Sequence, residues 1–157
     1  MAFISTGGTI ASEGADSLDL VNYGVTGRRL GAAQILARFP EIGELFDVTA
    51  VEFRRIASND IGFDEWRELA QTVQRLSGKV ESIDGIVISH GTATLEETAY
   101  FLHLVVAARI PVVLVGAQRP PTALSSDAGM NLLNAMRTAA SPLVRGMGVL
   151  VAMNDEI

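Results

Sequence analysis

Two threonines stand where a side-chain hydroxyl could serve as a nucleophile. Thr9 ends the run Thr6-Gly7-Gly8-Thr9, which follows a short apolar stretch, and its two glycines let the chain turn sharply and approach a ligand closely. The same run also reads as a tight turn with hydroxyl caps. A phosphate-cradling loop is the weaker alternative, because neither Gly-x-Gly-x-x-Gly nor a Gly-Lys-Ser/Thr ending is present. Thr92 lies in Ser89-His90-Gly91-Thr92-Ala93-Thr94-Leu95-Glu96-Glu97-Thr98, again behind an apolar stretch and opening a helix. A helix start offers N–H groups and the positive end of a dipole to an anionic ligand. Thr94 followed by Glu97 has the spacing of a capping box, which leaves Thr92 just outside the helix.

Other polar groups point less clearly to chemistry. His90 and His103 lack carboxylates at metal-ligand spacing, and His103 falls on a helix face that reads as buried, so both read as structural and no metal is expected. Glu96 and Glu97 project about 100° apart on a helix, which keeps them from converging as an acid–base pair. Asp127 reads either as a helix cap or as a contact from the Gly116 loop. Arg119, next to Pro120-Pro121, suits an interface or a carboxylate contact. Lys79, the only lysine, follows Gly78 at a helix end and reads as a solvated charge.

The elements that must position these groups alternate between short β-rich runs and helical stretches. Strands are expected at Ala2 to Ser5, Phe46 to Phe53, Gly85 to Ser89, Pro111 to Val115 and Gly148 to Met153. Three are continuous apolar runs, as for strands covered on both faces. Phe63, Trp66, Leu69, Ala70, Val73 and Leu76 recur at helical spacing, and further helices are expected over Leu95 to Ala108 and from about Asp127 to Ala140, the last started by Ser125 or Ser126. The fold class implied is α/β: a mainly parallel sheet flanked by helices on both faces, a Rossmann-like three-layer sandwich. Ligands bind such sheets beyond the carboxyl ends of the strands, where Thr6 to Ser12, His90 to Thr94 and Gly116 to Ser126 would meet in one site.

With 157 residues the chain fits one domain, and 48% hydrophobic against 19% charged residues excludes a disordered composition. The net charge of −6 disfavours a nucleic-acid surface. Tyr100 to Ala117 is the longest apolar stretch, but His103, Arg109 and Pro111 interrupt it, so it reads as a buried helix followed by a buried strand rather than a membrane span. No basic n-region opens the sequence, so a cytoplasmic location is expected. The absence of cysteine excludes thiolate catalysis and cysteine-ligated metals. A small-molecule partner is the default that remains.

Three runs, in order, resemble the bacterial-type L-asparaginase family (asparaginase/glutaminase): Ile4 to Ser12 (I-S-T-G-G-T-I-A-S), Ser89 to Leu102 (S-H-G-T-A-T-L-E-E-T-A-Y-F-L) and Pro111 to Pro120 (P-V-V-L-V-G-A-Q-R-P). The similarity continues through Ser125-Ser126-Asp127, Asn131-Leu132 and Met153-Asn154-Asp155. It implies that residues 1–157 form the family's N-terminal catalytic domain, with the family's C-terminal domain absent. The activity implied is release of ammonia from L-asparagine or L-glutamine: Thr9 attacks the side-chain amide carbon and water hydrolyses the acyl-enzyme. By the same resemblance Thr92 belongs to a second catalytic group and Tyr23 to a mobile lid that assists Thr9. Ser58 and Asn59 hold the substrate's α-carboxylate and α-amino groups, and Gly8 and Gly91 bring backbone N–H groups to the substrate.

Without the resemblance, Tyr23 reads as a packing residue with a wet tip, and Ser58-Asn59-Asp60 as turn or cap formers. No cofactor is implied, and a homo-oligomer is. Three features depart from the family's pattern, the first being Asn59 where the family usually has glutamine. Ala93 stands where the family has an aspartate, and the family's lysine position falls beyond Ile157. Two other readings stay open: an asparaginase-like module that binds an amino acid or dicarboxylate without turnover, and the asparaginase-like subunit of a tRNA-dependent amidotransferase.

Overall fold

The apolar runs pair with one another. A computed structural model describes residues 1–25, 27–78 and 83–157, and in it five strands form one sheet. They are β1 (Ala2–Gly7), β2 (Thr49–Ile56), β3 (Ile86–Ser89), β4 (Val112–Val115) and β5 (Val149–Val151). Every pairing is parallel and the order is β2-β1-β3-β4-β5. β1, β3 and β4 are buried along their whole length, which is why their sequences are nearly unbroken apolar runs. The edge strand β2 alternates exposed and half-buried positions instead.

Helices cover both faces, as expected. α1 (Ala32–Arg38) and α5 (Ala128–Ala140) pack on one side, where Ile35, Leu132 and Met136 meet Phe3, Val87 and Val113. α3 (Phe63–Ser77) and α4 (Leu95–Val105) pack on the other, where Leu69, Val73 and Leu102 meet Ile4, Ile88 and Leu114. Successive strand residues therefore serve opposite cores, as the period of two requires. In α3 the buried Leu69, Val73 and Leu76 follow the four-and-three spacing of one helix face.

Several expectations shift. The second strand runs Thr49–Ile56 rather than Phe46 to Phe53, because Phe46 closes α2 (Pro40–Leu45), donating its N–H to Ile42 O at 2.9 Å. The short helices α1 and α2, of seven and six residues, are too brief for a helical period to show in the sequence. α4 ends at Val105, before Ala108, and carries exposed Tyr100, Leu104 and Val105, so the helix read as buried is only half so. His103 is exposed, not buried, and its Nδ1 accepts from Val149 N at 3.2 Å. Lys79 lies outside the described residues.

The crossing at the sheet's centre places the site. Chain connections leave β1 toward β2 on one side and β3 toward β4 on the other, so the loops after β1 and β3 diverge and open a crevice at their carboxyl ends. The packing that holds this frame is testable at Leu132, which is fully buried between α5 and the sheet. Leu132→Ala should lower the unfolding free energy by about 2–5 kcal/mol in urea titrations, and a loss well below this range would show that the α5 face is not closely packed.

Candidate active site

The loop after β1 is shaped by its glycines. Gly7 and Gly8 adopt φ of 112° and 78°, conformations that side chains other than hydrogen resist. They turn the chain into a 3-10 turn, Thr9–Ala11, whose Ile10 and Ala11 are buried and hold Thr9 at the rim. The loop after β3 comes so close that a methyl group on Gly8 would overlap the Gly91 backbone, and one on Gly91 would meet Ser58 Oγ at 2.7 Å. Three chain segments thus touch at one point: Gly8, Gly91 and Ser58.

Side-chain hydrogen bonds lock these segments. Thr6 Oγ1 donates to Ser89 O at 3.1 Å, joining the ends of β1 and β3. Ser12 Oγ donates to Gly8 O at 2.9 Å. Thr94 Oγ1 donates to Ser58 O at 2.8 Å, so Thr94 does not make the expected capping box; it ties the start of α4 to the segment after β2. The Ser58 carbonyl also accepts from Ile61 N at 3.1 Å, so the Thr94 hydroxyl takes up its second lone pair. Asp127 is likewise no cap. Its carboxylate accepts from Gln118 N and Arg119 N, both at 2.9 Å, and from Asn131 Nδ2 at 3.0 Å. Asn131 also donates to Gly116 O and accepts from Asn154 N, each at 3.0 Å. Arg119 turns back on its own loop, donating to Ser125 O.

Around the three-segment contact lies an open cavity of about 190 Å³, lined by Gly8, Thr9, Ser12, Tyr23, Gly24, Arg29, Ala57, Ser58, Asn59, Gly91, Thr92 and Ala93. All seven residues singled out from the sequence, Thr9, Thr92, Tyr23, Ser58, Asn59, Gly8 and Gly91, therefore share one cavity. Thr9 Oγ1 and Tyr23 Oη are 3.2 Å apart, and Tyr23 is the only side chain hydrogen-bonded to Thr9 Oγ1 among the described residues. Tyr23 is presented by a turn that Asp19 gathers, accepting from Ala15 N and Asn22 N; the Ala15 N–H foremost holds the Asp19 carboxyl below its ordinary range. That turn is attached to the loop after β4 through Gly14 N to Thr122 Oγ1 at 2.9 Å and Leu124 N to Ser17 O at 3.1 Å. No group of three or more His, Asp or Glu side chains among the described residues could hold a metal ion.

Behind the cavity sits a polar chain that was not read from the sequence. His90 is fully buried; its Nδ1 is 2.8 Å from Gly91 O and its Nε2 is 2.9 Å from Thr98 Oγ1, which Trp66 Nε1 also reaches at 2.8 Å. A carbonyl only accepts, so Nδ1 carries the proton and Nε2 accepts from Thr98, whose oxygen accepts from the indole. Arg29 was also unread: an adjacent pair of arginines looks like surface, and only its backbone bridge to Ser12 brings the second to the cavity.

Comparisons with known proteins place the chain in a family. A family model described as "Asparaginase, N-terminal" matches residues 1–157. The chain belongs to the asparaginase family. It is 43% identical over 157 residues to a glutaminase-asparaginase of Pseudomonas fluorescens biotype A, covering all of this chain and 42% of that protein. It is 41% identical, over 100% of this chain and 43% of the relative, to a probable periplasmic L-asparaginase of Haemophilus influenzae. The crystal structure of a probable cytoplasmic L-asparaginase from Campylobacter jejuni superposes with a TM-score of 0.88 at 38% identity, covering 99% of this chain and 46% of that one. The chain thus spans less than half the length of these relatives.

Burial lowers the His90 pKa, outweighing the opposing effects of the Gly91 carbonyl and Glu96. A depressed histidine pKa means that the unfolded chain takes up a proton which the folded chain refuses. Its stability is therefore intact above the unfolded value of about 6.5 and falls as the pH drops from there through the folded value. In urea titrations from pH 8 to pH 5, the family member described here should lose stability below about pH 6.5, and His90→Asn should remove that acid component. Equal slopes in the two proteins would refute the assignment.

Proposed function

We propose that the chain carries the chemical centre of an amidohydrolase that releases ammonia from the side-chain amide of a small amino-acid amide, L-asparagine or L-glutamine, with Thr9 as nucleophile. One observation carries this reading: Thr9 Oγ1 lies 3.2 Å from the Tyr23 hydroxyl at the rim of a cavity that Thr92, Ser58 and Asn59 also line. A threonine hydroxyl is a weak nucleophile at neutral pH and needs a partner that shares its proton. Tyr23 is placed for that. Thr9 Oγ attacks the amide carbon, the departing nitrogen takes up the hydroxyl proton and leaves as ammonia, and water cleaves the resulting ester. Gly8 and Gly91 expose main chain to the cavity, where N–H groups can hold the developing oxyanion. Thr92 also lines the cavity and offers a second hydroxyl able to orient the attacking water.

The family relatives named above support the reaction class. The reading takes the protein to work as a homo-oligomer, which the exposed apolar side chains Tyr100, Leu104 and Met147 support. Among the described residues no helix is long and apolar enough to cross a membrane. The location proposed is the cytoplasm, as named for the Campylobacter relative and unlike the Haemophilus one.

A second reading has its own observation. Among the described residues no carboxylate lines the cavity, and Ala93 contributes only a methyl group, which favours a module that binds its ligand without turnover. Ammonia release from L-asparagine, L-glutamine and their D-enantiomers separates the two. Thr9→Ala should lower the rate by at least about 1,000-fold and Tyr23→Phe by less, as members of an assembled catalytic unit behave. Ammonia release undiminished by Thr9→Ala would end the nucleophile assignment. No release at all, together with a ligand-induced rise in Tm, would establish the binding module.

A further inference from the structure

Tyr23, the side chain paired with Thr9, rides on a segment that packing does not hold. None of residues 13–25 is buried, and Leu18, Val21 and Val25 stand well exposed. Apolar burial therefore contributes little to keeping the Tyr23 hydroxyl beside Thr9. The segment is ordered from within by its own turn bonds. Asp16 Oδ1 accepts from Leu18 N at 2.8 Å, Asp19 Oδ2 from Ala15 N at 3.0 Å, Asp19 Oδ1 from Asn22 N at 2.8 Å and Asn22 O from Val25 N at 2.8 Å. Bonds of this kind fix the shape of a turn but not where it lies. Its place over Thr9 needs ties to the body of the domain.

The loop after β4 supplies such a tie from a rigid base. Pro120, Pro121 and Ala123 are buried, Ala123 N donates to Pro120 O at 2.9 Å, Arg38 Nε donates to Pro121 O at 3.3 Å, and Asp127 holds Gln118 N and Arg119 N. Between buried Pro121 and buried Ala123 stands Thr122, half-buried, whose Oγ1 accepts from Gly14 N at 2.9 Å. Leu124 N adds a bond to Ser17 O at 3.1 Å. Gly14 is itself packed on the residue that gathers the turn: a Cβ there would lie 3.1 Å from both the Cβ and the carbonyl oxygen of Asp19. A line of contacts thus runs from Thr122 through Gly14 and Asp19 to Asn22 N, next to Tyr23, and every one of them is made within the chain.

We infer that Thr122 is a positioning residue for Tyr23: its hydroxyl latches the segment that carries Tyr23 to the loop after β4 and so keeps the Tyr23 hydroxyl within reach of Thr9. The latch rests on these contacts; its effect on turnover rests on the hydrolytic reading above. Thr122 does not line the cavity and acts only through Gly14 and Asp19. A hydroxyl is the group required, because the Gly14 N–H needs an acceptor and valine, nearly the same in shape, has none. One neutral hydrogen bond favours the latched position by roughly fivefold.

Amide hydrogen exchange followed by NMR on the whole chain, together with ammonia release from L-asparagine, tests the latch. In Thr122→Val the amides of Gly14, Ala15 and Asn22 should exchange about fivefold faster, while those of β1 and β3 and the Tm stay unchanged. Thr122→Ser should restore the slow rates. The kcat/KM for ammonia release should fall by a similar factor, and the same substitution made in Tyr23→Phe should bring no further loss, because the turn then has no tyrosine hydroxyl to misplace. Faster exchange confined to Gly14, or raised equally in β1 and β3, would overturn the inference. So would an equal loss of kcat/KM in the Tyr23→Phe background, which a general loosening gives. If the exchange pattern holds and the unaltered chain releases no ammonia, the hydrolytic reading fails while the latch stands. If ammonia is released and Thr122→Val turns over like the unaltered chain, the latch fails and hydrolysis stands.

Discussion

Two glycines from different strands lie backbone against backbone, and most of the site follows from that contact. Gly8 follows β1 directly and leads into the Thr9–Ala11 turn, and Gly91 lies in the loop after β3; each occupies the space where the other's side chain would be, and Ser58 closes the third side. Parallel neighbouring strands end side by side, but their loops normally diverge to make room for side chains. With no Cβ on either residue the two loops stay in contact for one residue longer. Thr9 and Thr92, each the next residue along, are then carried to the same cavity without either loop having to be long. Short loops order few residues, so the geometry is held at low entropic cost.

Closeness alone would not hold these loops, because each has backbone groups that need partners. The molecule satisfies them with side chains drawn from the next element. Thr94 at the start of α4 reaches Ser58 O, Thr6 reaches Ser89 O, and Asp127 gathers the N–H groups of Gln118 and Arg119. Asn131, nearly fully buried, donates twice and accepts once, linking α5 to the Gly116 loop and to Asn154 beyond β5. Leaving a buried amide with unmet groups costs about 1–3 kcal/mol, and because hydrogen bonds are directional, residues of this kind fix the orientation of a loop as well as its position. The site is therefore braced from the helix starts rather than from within the cavity.

The fold was legible where one physical demand dominated. Strands β1, β3 and β4 are buried on both faces and announce themselves as apolar runs; α3 and α5 show their helical spacing because one face alone meets the sheet. The short helices α1 and α2 offer too few turns for a period to emerge, and α2 depends on Pro40 at its start and on Ile42 fitting the core. The edge strand β2 lies three residues beyond the span its sequence suggests, because half-exposed strands lack the apolar signature. At the site, the glycines and threonines were legible as a family resemblance and as turn chemistry. Arg29 and the Trp66–Thr98 pair were not, since what matters about them is a neighbour far away in sequence. Thr94 shows the same limit from the other side: its spacing to Glu97 fits a local cap, and a tertiary carbonyl outcompetes it.

The buried chain behind the cavity shows why a polar group is worth keeping there. Gly91 must stay a glycine for contact with Gly8 and Ser58, and a glycine's peptide planes rotate more freely than those of any other residue. A carbonyl at that position needs a donor that fixes its direction. His90 Nδ1 supplies one at 2.8 Å, and the ring cannot flip, because Nε2 must then accept from Thr98, and Thr98 is committed by the Trp66 indole, which can only donate. The indole in turn stacks on Phe101 at 5.3 Å, so the last member of the chain is held by α3 and α4 together. Every hydrogen bond in the sequence Trp66, Thr98, His90, Gly91 has one permitted direction. The packing of two helices on one face of the sheet is thereby converted into the orientation of a single peptide group beside Thr92.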